Sequence, residues 1–237
     1  MVEINPEKTG TPSRVLFVLT SCSAMGSSGI PTGFHLGETV EPWRILEAAG
    51  FEIDITTING QNPPMIGHDP DNPEHTKFLA DPAISRRLKD PLPLPNVTPG
   101  RYAAIYFVGG HGTMWDFPEN EDLQNTTRAI YENGGVVAAI CHGQAALVNL
   151  TGSDGRHIVS GKNLTSFSHE GECERGLESV VPFSLQHILQ KHGARYTCAP
   201  GRAPHVVCDG RLVTGQNPAS AASLGHQMAH LLTQASG

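Results

Sequence analysis

Cys141 lies where a buried strand is expected to end and a helix to begin, a position typical of nucleophiles in α/β enzymes. Residues 136–143 read Val-Val-Ala-Ala-Ile-Cys-His-Gly, an apolar run that predicts a fully buried strand, and residues 144–150 suit a helix. The small residues Ala139 and Gly143 allow a tight turn that lifts one side chain above the sheet. A thiol at such a helix start is expected to have a lowered pKa and to be nucleophilic at neutral pH, whereas the alternative is an inert core cysteine.

A nucleophilic cysteine needs a base and a group that orients the base. Because His142 follows Cys141 directly, its side chain is expected to point away from the thiol unless the turn is unusual. If an acid orients it, His142 could still shuttle a proton; the alternative is a surface or helix-capping histidine. Glu170, Glu172 and Glu174 follow a predicted strand, and one of them could orient His142 unless they form only a solvated acidic loop.

A glycine-rich segment, Gly-Gly-His-Gly at 109–112, follows the preceding predicted strand. Glycines let the backbone approach a substrate closely, and N–H groups here could form an oxyanion hole together with the amide of His142. Gly110, His111 and Gly112 are therefore the candidates for oxyanion and substrate binding. The alternative is a plain strand-to-helix turn.

Other polar residues bear on which reactions and which metal sites the sequence can support. Glu38 opens the first predicted helix, where a carboxylate is usually only a favourable cap. His226 and His230 have the i, i+4 spacing of a metal-binding pair, but no third ligand accompanies them in a known motif, so we expect no metal. After Glu178 the only acid is Asp209, which excludes the late His-x-Glu pair of class I glutamine amidotransferases.

Composition indicates a globular cytoplasmic protein. The chain has 237 residues and a formal net charge of −7, which argues against nucleic-acid or anionic-membrane partners. No apolar run approaches the length of a membrane span, and the polar first residues lack the pattern of a secretory signal. The five cysteines are odd in number and form no CxxC pair, as expected in a reducing compartment.

Alternating strands and helices predict an α/β fold: a flavodoxin-like, doubly wound, mostly parallel sheet between helices. Residues 59–100 are rich in Pro, Asp and Asn, with one weak helix at 77–88, and we expect them to form a cap or lid within a single domain spanning 1–237. Strands are predicted at 14–20, 51–57, 102–108, 136–140, 162–167, 195–198, 205–208 and 211–214, and helices at 38–49, 120–133, 144–150, 182–192 and 219–234.

Four segments together resemble a known family. They are Phe107-Val-Gly-Gly-His-Gly-Thr-Met-Trp-Asp-Phe-Pro118, Asn133-Gly-Gly-Val-Val-Ala-Ala-Ile-Cys-His-Gly143, Gly161-Lys-Asn-Leu-Thr-Ser-Phe167 and Leu212-Val-Thr-Gly-Gln-Asn-Pro-Ala-Ser220. The sequence resembles the ThiJ/PfpI (DJ-1-like) superfamily over nearly its whole length. It is most similar to the branch of larger heat-shock-type proteins that act as glutathione-independent (class III) glyoxalases.

The resemblance implies a role for each residue that matches the family's motifs. Cys141 would be the nucleophile, His142 its partner, and Glu38 a protonated carboxyl that contacts the thiol. Glu172 best matches the triad acid, with Glu170 and Glu174 left open because the loop aligns loosely. The chain departs from the glyoxalase branch where Gln144 replaces a common Pro, a change that should matter little because Gln is a good helix residue. It departs also in the sequence of the 59–100 insertion, which affects the expected pocket.

The activity implied by the resemblance is conversion of methylglyoxal and related 2-oxoaldehydes to 2-hydroxy acids such as D-lactate. The reaction would proceed through a cysteine hemithioacetal, without cofactor or metal. The expected partner is the small 2-oxoaldehyde substrate, with no nucleic acid and no membrane, and the protein is expected to be a homodimer. The family also leaves open a stress chaperone, a protein deglycase or another cysteine hydrolase.

Overall fold

Short apolar runs form the strands at the centre of this protein, because buried strands need side chains that pack on both faces. The computed structural model describes residues 13–234. The strands in this part of the chain are β1 Arg14–Leu19, β2 Phe34–His35, β3 Glu52–Thr57, β4 Met65–Ile66, β5 Leu92–Pro93, β6 Tyr102–Phe107, β7 Val136–Ile140, β8 Asn163–Leu164, β9 Arg195–Tyr196, β10 Val206–Asp209 and β11 Leu212–Gly215.

Helices cover both faces of the central sheet. They are α1 Leu36–Ala48, α2 Pro73–Ala80, α3 Pro82–Lys89, α4 Thr113–Asp116, α5 Glu121–Glu132, α6 His169–Arg175, α7 Leu185–Lys191 and α8 Ala221–Gln234. Side chains alternate along β1: Phe17 faces a core that includes α1 and α8, and Leu16 faces a core that includes α5 and α7. No helix of the described residues has the length and apolar character needed to cross a membrane.

The main sheet has the order β10-β11-β7-β6-β1-β3-β5. All neighbours pair in parallel except β10, which is antiparallel to β11. Counting only β1, β3, β6, β7 and β11 as strands 1 to 5, the order is 2-1-3-4-5, which is the flavodoxin-like arrangement. The predicted fold class is confirmed. In such sheets ligands bind beyond the carboxyl ends of the strands, where the residues after β6 and β7 lie.

Several predicted elements differ from those observed. The expected helix at 77–88 is two helices separated at Asp81, whose side chain accepts hydrogen bonds from Ala83 N (2.7 Å) and Ile84 N (3.1 Å) and so begins a new helix. The expected helix at 144–150 is only a 3-10 turn, Gly143–Leu147. The expected strand at 162–167 shortens to β8, and α6 forms where no helix was predicted.

Segment 59–100 lies at the edge of the sheet, where β5 pairs with β3 and α2 packs against α1. It contributes none of the residues that line the cavity beside the cysteine, which is described below. Its role as a cap therefore stays a prediction, as does the assignment of 1–237 to a single domain.

Candidate active site

A strained turn presents Cys141 at the end of β7. Its φ is +59°, and no other residue except glycine in 13–234 has a positive φ. The turn is held by its own backbone: Cys141 N donates to Gly215 O (2.8 Å), and Phe167 N donates to Cys141 O (2.9 Å). A Cβ at Gly143 would lie 2.3 Å from Phe107 O, so only glycine fits there. Backbone strain of this kind persists where the surrounding structure fixes it, commonly at functional sites.

His142 points toward the thiol, contrary to the expectation from its position next to Cys141. Its Nδ1 lies 3.2 Å from Cys141 Sγ. The left-handed conformation of Cys141 accounts for the difference. In an extended or helical backbone two consecutive side chains point apart, whereas here the backbone turns them toward each other. The turn is therefore of the unusual kind that lets His142 face the thiol of the preceding residue.

Glu172 is the acid that meets His142. Its Oε1 contacts His142 Nε2 closely, and its Oε2 lies 3.2 Å from His111 Nε2. Burial alone would raise the pKa of Glu172, but the hydrogen bonds with His111 and His142 lower it to about 2. Glu170 and Glu174 are exposed. Of the three acids proposed from the sequence, the structure brings only Glu172 to His142.

These charges fix the tautomer of His142. Burial and the nearby His111 lower the pKa of His142 to about 4, although Glu172 opposes this, so the ring is neutral at pH 7. With Glu172 ionised, Nε2–H of His142 donates to the carboxylate, which leaves the lone pair of Nδ1 facing the sulfur. The arrangement can take the proton of the thiol.

Glu38 approaches the thiol from the first turn of α1. It is fully buried, and burial raises its pKa to about 8, although the Cys141 thiol and the Gly109 N–H oppose the rise. Neither carboxyl oxygen has a hydrogen-bond partner of normal geometry among the described residues. A Cβ at Gly109 would lie 2.3 Å from Glu38 Oε2 and 2.7 Å from Cys141 Cβ, so the absence of a side chain at 109 lets carboxyl and thiol meet. Glu38 is therefore a neutral acid at pH 7.

The thiol itself does not have the lowered pKa expected from the sequence. Burial raises the pKa of Cys141 well above its ordinary value, and the nearby Glu38 adds to the rise. Only 6% of the residue is exposed, and the 3-10 turn that follows is too short to supply a strong helix dipole. The resting thiol is protonated, and the adjacent imidazole is placed to take its proton.

The glycine-rich segment 109–112 lies beside the thiol, but its residues differ in what they can offer a substrate. Gly110 has φ +117°, and a Cβ there would lie 2.0 Å from Gly33 O. No acceptor among the described residues takes the Gly110 N–H, whereas the Gly112 N–H already donates to Thr32 Oγ1 (3.1 Å). Gly110 can therefore supply an oxyanion donor and Gly112 cannot. The side chain of His111 belongs to the site, since its ring centroid lies 3.8 Å from that of His142.

One group of side chains could hold a cation. The donor atoms of His111, His142 and Glu172 lie within 4.8 Å of one another. In the structure both imidazoles are hydrogen-bonded to the carboxylate, so a metal would have to displace these bonds. His226 and His230 belong to no such group of three among the described residues.

Gln144 has a role that the sequence analysis missed. Its buried Nε2 donates to Ala139 O (3.2 Å), Thr165 O (3.0 Å) and Gly215 O (2.8 Å), the carbonyls of three segments that meet at the cysteine turn. It therefore braces the turn from below. Its replacement of a proline had been expected to matter little, because Gln is a good helix residue.

A cavity of about 470 Å³ opens beside the buried group formed by Cys141, His142 and Glu172. Phe167 forms part of its wall and stacks on His142, with ring centroids 4.6 Å apart. Arg175 and Arg202 also line it. Cys141 is not among the residues that line this space, and the cavity meets the buried group at Phe167.

Comparison with known proteins places this geometry in a family. Residues 30–231 match the model of the DJ-1/PfpI family. The chain is 34% identical over 228 residues to glutathione-independent glyoxalase HSP31 of Saccharomyces cerevisiae, which covers 90% of this chain and 94% of that protein.

Two solved structures are similar to this one over most of the chain. Rapid encystment protein 24 kDa of Francisella tularensis superimposes with a TM-score of 0.89 at 38% identity, covering 92% of this chain and 98% of that one. Glyoxalase III of Candida albicans superimposes with a TM-score of 0.85 at 29% identity, covering 92% and 96%. The chain belongs to the DJ-1/PfpI family.

Proposed function

We propose that this protein is a glutathione-independent glyoxalase, a lyase that converts methylglyoxal and related 2-oxoaldehydes to 2-hydroxy acids such as D-lactate. The observation that carries the proposal is a thiol with a proton carrier on each side: His142 with Glu172, and the neutral acid Glu38. Isomerising an oxoaldehyde requires a nucleophile and two proton transfers between adjacent carbons. The names of HSP31 and of glyoxalase III support the same activity.

The first step forms a carbon–sulfur bond. His142 Nδ1 takes the thiol proton while Sγ of Cys141 adds to the aldehyde carbon. Oxygen charge develops within reach of the N–H groups of Gly110 and His142, which act as the oxyanion donors. Glu172 stabilises the imidazolium, which then returns its proton to the oxygen to give a neutral hemithioacetal.

The second step moves hydrogen from the first carbon to the second. Neutral His142 removes the proton on the former aldehyde carbon while Glu38 protonates the neighbouring carbonyl oxygen, giving an enediol. Glu38, now ionised, takes the proton of the first hydroxyl, and the imidazolium protonates the second carbon. The product is a thioester of the 2-hydroxy acid, and water with His142 as base hydrolyses it to the acid and the free thiol.

Incubation of the purified protein with methylglyoxal, without glutathione or added metal, tests the proposal. Separate assays specific for D-lactate and for L-lactate should detect only D-lactate with the wild type and with Cys208→Ser, which changes an exposed cysteine, and neither isomer with Cys141→Ser. Lactate no higher than in the Cys141→Ser sample would refute the proposed activity, and L-lactate would refute the stereochemistry.

Location and assembly are part of the proposal. All five cysteines are free, as suits a cytoplasmic protein, and a cytoplasmic enzyme would meet metabolic oxoaldehydes. A homodimer is proposed by analogy with the family alone, and size-exclusion chromatography with light scattering would decide it.

A further inference from the structure

The cavity is larger than a three-carbon aldehyde needs. At about 470 Å³ it falls within the range of pockets that hold drug-sized ligands. Besides Phe167 it is lined by charged side chains, namely Arg175, Arg202 and Glu174. A substrate whose aldehyde reached the thiol could place its remote end among these charges.

Among the charged residues that line the cavity, Arg175 lies on the helix that also carries Glu172. It follows Glu172 by three residues on α6, so the two side chains share one face of the helix. Its guanidinium lies over the ring of Phe167, 4.9 Å from the centroid, and that ring stacks on His142. The positive charge is close enough to lower the pKa of Cys141. An anion bound by Arg175 would therefore stand one aromatic ring away from the catalytic base.

The guanidinium has no anionic partner of its own. Arg14, Arg44 and Arg156 form ion pairs within 4.0 Å, whereas Arg175 has none in the described part of the chain, and its side chain is exposed. An unpaired arginine facing a cavity offers five donors in a planar fork that matches a carboxylate.

The charge balance of the lining favours one negative charge. Two arginines and Glu174 give +2 − 1 = +1, and His35 is neutral at pH 7 because burial lowers its pKa to about 4. A carboxylate complements this charge, whereas a phosphate dianion would exceed it and be repelled by Glu174.

We propose that Arg175 selects 2-oxoaldehydes that carry a carboxylate at the end remote from the aldehyde. The inference rests on the proposed glyoxalase function and names its preferred substrate class. The chemistry is unchanged: 4,5-dioxopentanoate plus water gives 2-hydroxyglutarate, with no external oxidant or reductant. Arg175 acts on specificity, since it holds the remote carboxylate and not the reacting carbons.

The test compares 4,5-dioxopentanoate with its uncharged methyl ester. The ratio of kcat/KM for acid over ester should fall about tenfold in Arg175→Gln, as expected for loss of one charge-assisted hydrogen bond, and less in Arg175→Lys. Arg86→Gln, which removes an exposed charge outside the cavity, should leave the ratio unchanged. Because any effect of Arg175 on the thiol slows both substrates alike, the ratio isolates recognition. An unchanged ratio in Arg175→Gln would overturn the proposal.

A second measurement separates this inference from the glyoxalase proposal. Alkylation of Cys141 by iodoacetate and by iodoacetamide, followed by mass spectrometry of its peptide, requires no turnover. The rate ratio of the anionic over the neutral reagent should fall about threefold or more in Arg175→Gln, because attraction to one nearby charge is lost. If neither aldehyde is turned over, the glyoxalase proposal fails, and this ratio alone decides whether Arg175 attracts anions to the site: an unchanged ratio refutes it.

Discussion

Glu38→Gln tests whether a neutral carboxyl lies buried beside the thiol. In the unfolded chain Glu38 ionises near its ordinary pKa of 4.5, whereas in the folded protein burial raises the pKa to about 8. A pKa raised by folding gives a stability contribution that is complete below pH 4.5 and is lost as the pH rises toward 8. Between these values the wild type loses about 1.4 kcal/mol of unfolding free energy per pH unit from this group.

From pH 5 to pH 8 the loss sums to about 3.5 kcal/mol, because the slope falls as the pH approaches 8, and this is a large share of the 5–15 kcal/mol that stabilises a typical domain. Glu38→Gln has no proton to release, so its unfolding free energy relative to wild type should rise by this amount over the same range. Urea unfolding of both proteins at pH 5, 6, 7 and 8 measures the difference, in which all other titrating groups cancel. A difference independent of pH would show that Glu38 is ionised in the folded protein and would remove it as the acid of the second step.

Three further substitutions probe the site. Glu172→Gln should lower kcat with methylglyoxal about 10²–10⁴-fold with little change in KM, because His142 loses the carboxylate that sets its tautomer; an unchanged kcat would contradict this. Gln144→Met should cost about 2 kcal/mol in urea unfolding, since the two N–H groups of one buried amide are lost while Gly215 O keeps the donor Cys141 N, and a loss near zero would mean that the turn needs no brace. Gly110→Ala should lower the thermal midpoint far more than Gly155→Ala, which shares a positive φ but has open space for a Cβ; equal shifts would argue against the clash.

The sheet could be predicted from the sequence because its strands carry strong local signals. Arg14–Leu19 and Tyr102–Phe107 are apolar runs bounded by turns, and each was predicted to within one residue. Helix α6 lacked such a signal, since its seven residues include three acids and no apolar stripe. It forms because the Ser168 side chain caps it by accepting from Gly171 N (3.1 Å) and Gly176 ends it in the left-handed conformation. The Ser before these acids was the available signal.

The direction of His142 and the bracing by Gln144 were beyond local reasoning. The first depends on a positive φ at Cys141, a conformation that a non-glycine residue adopts only when distant contacts impose it. The second depends on Ala139, Thr165 and Gly215 meeting in space although they are up to 76 residues apart in the chain. Both are consequences of tertiary structure that spacing along the sequence does not encode.

The two glutamates at the thiol illustrate how one residue type acquires opposite roles. Both are buried, yet burial raises the pKa of Glu38 to about 8, while the pKa of Glu172 falls to about 2. The difference lies in the donors: two imidazoles face Glu172, whereas Glu38 has only the thiol and one backbone N–H close by. Since titratable groups with widely separated pKa values divide into acid and base, this difference supports the proposed roles, in which Glu38 donates a proton and Glu172 remains an anion. A carboxylate that faces two imidazoles cannot take the place of one that faces none, so exchanging their surroundings, and not their identity, would exchange their proposed functions.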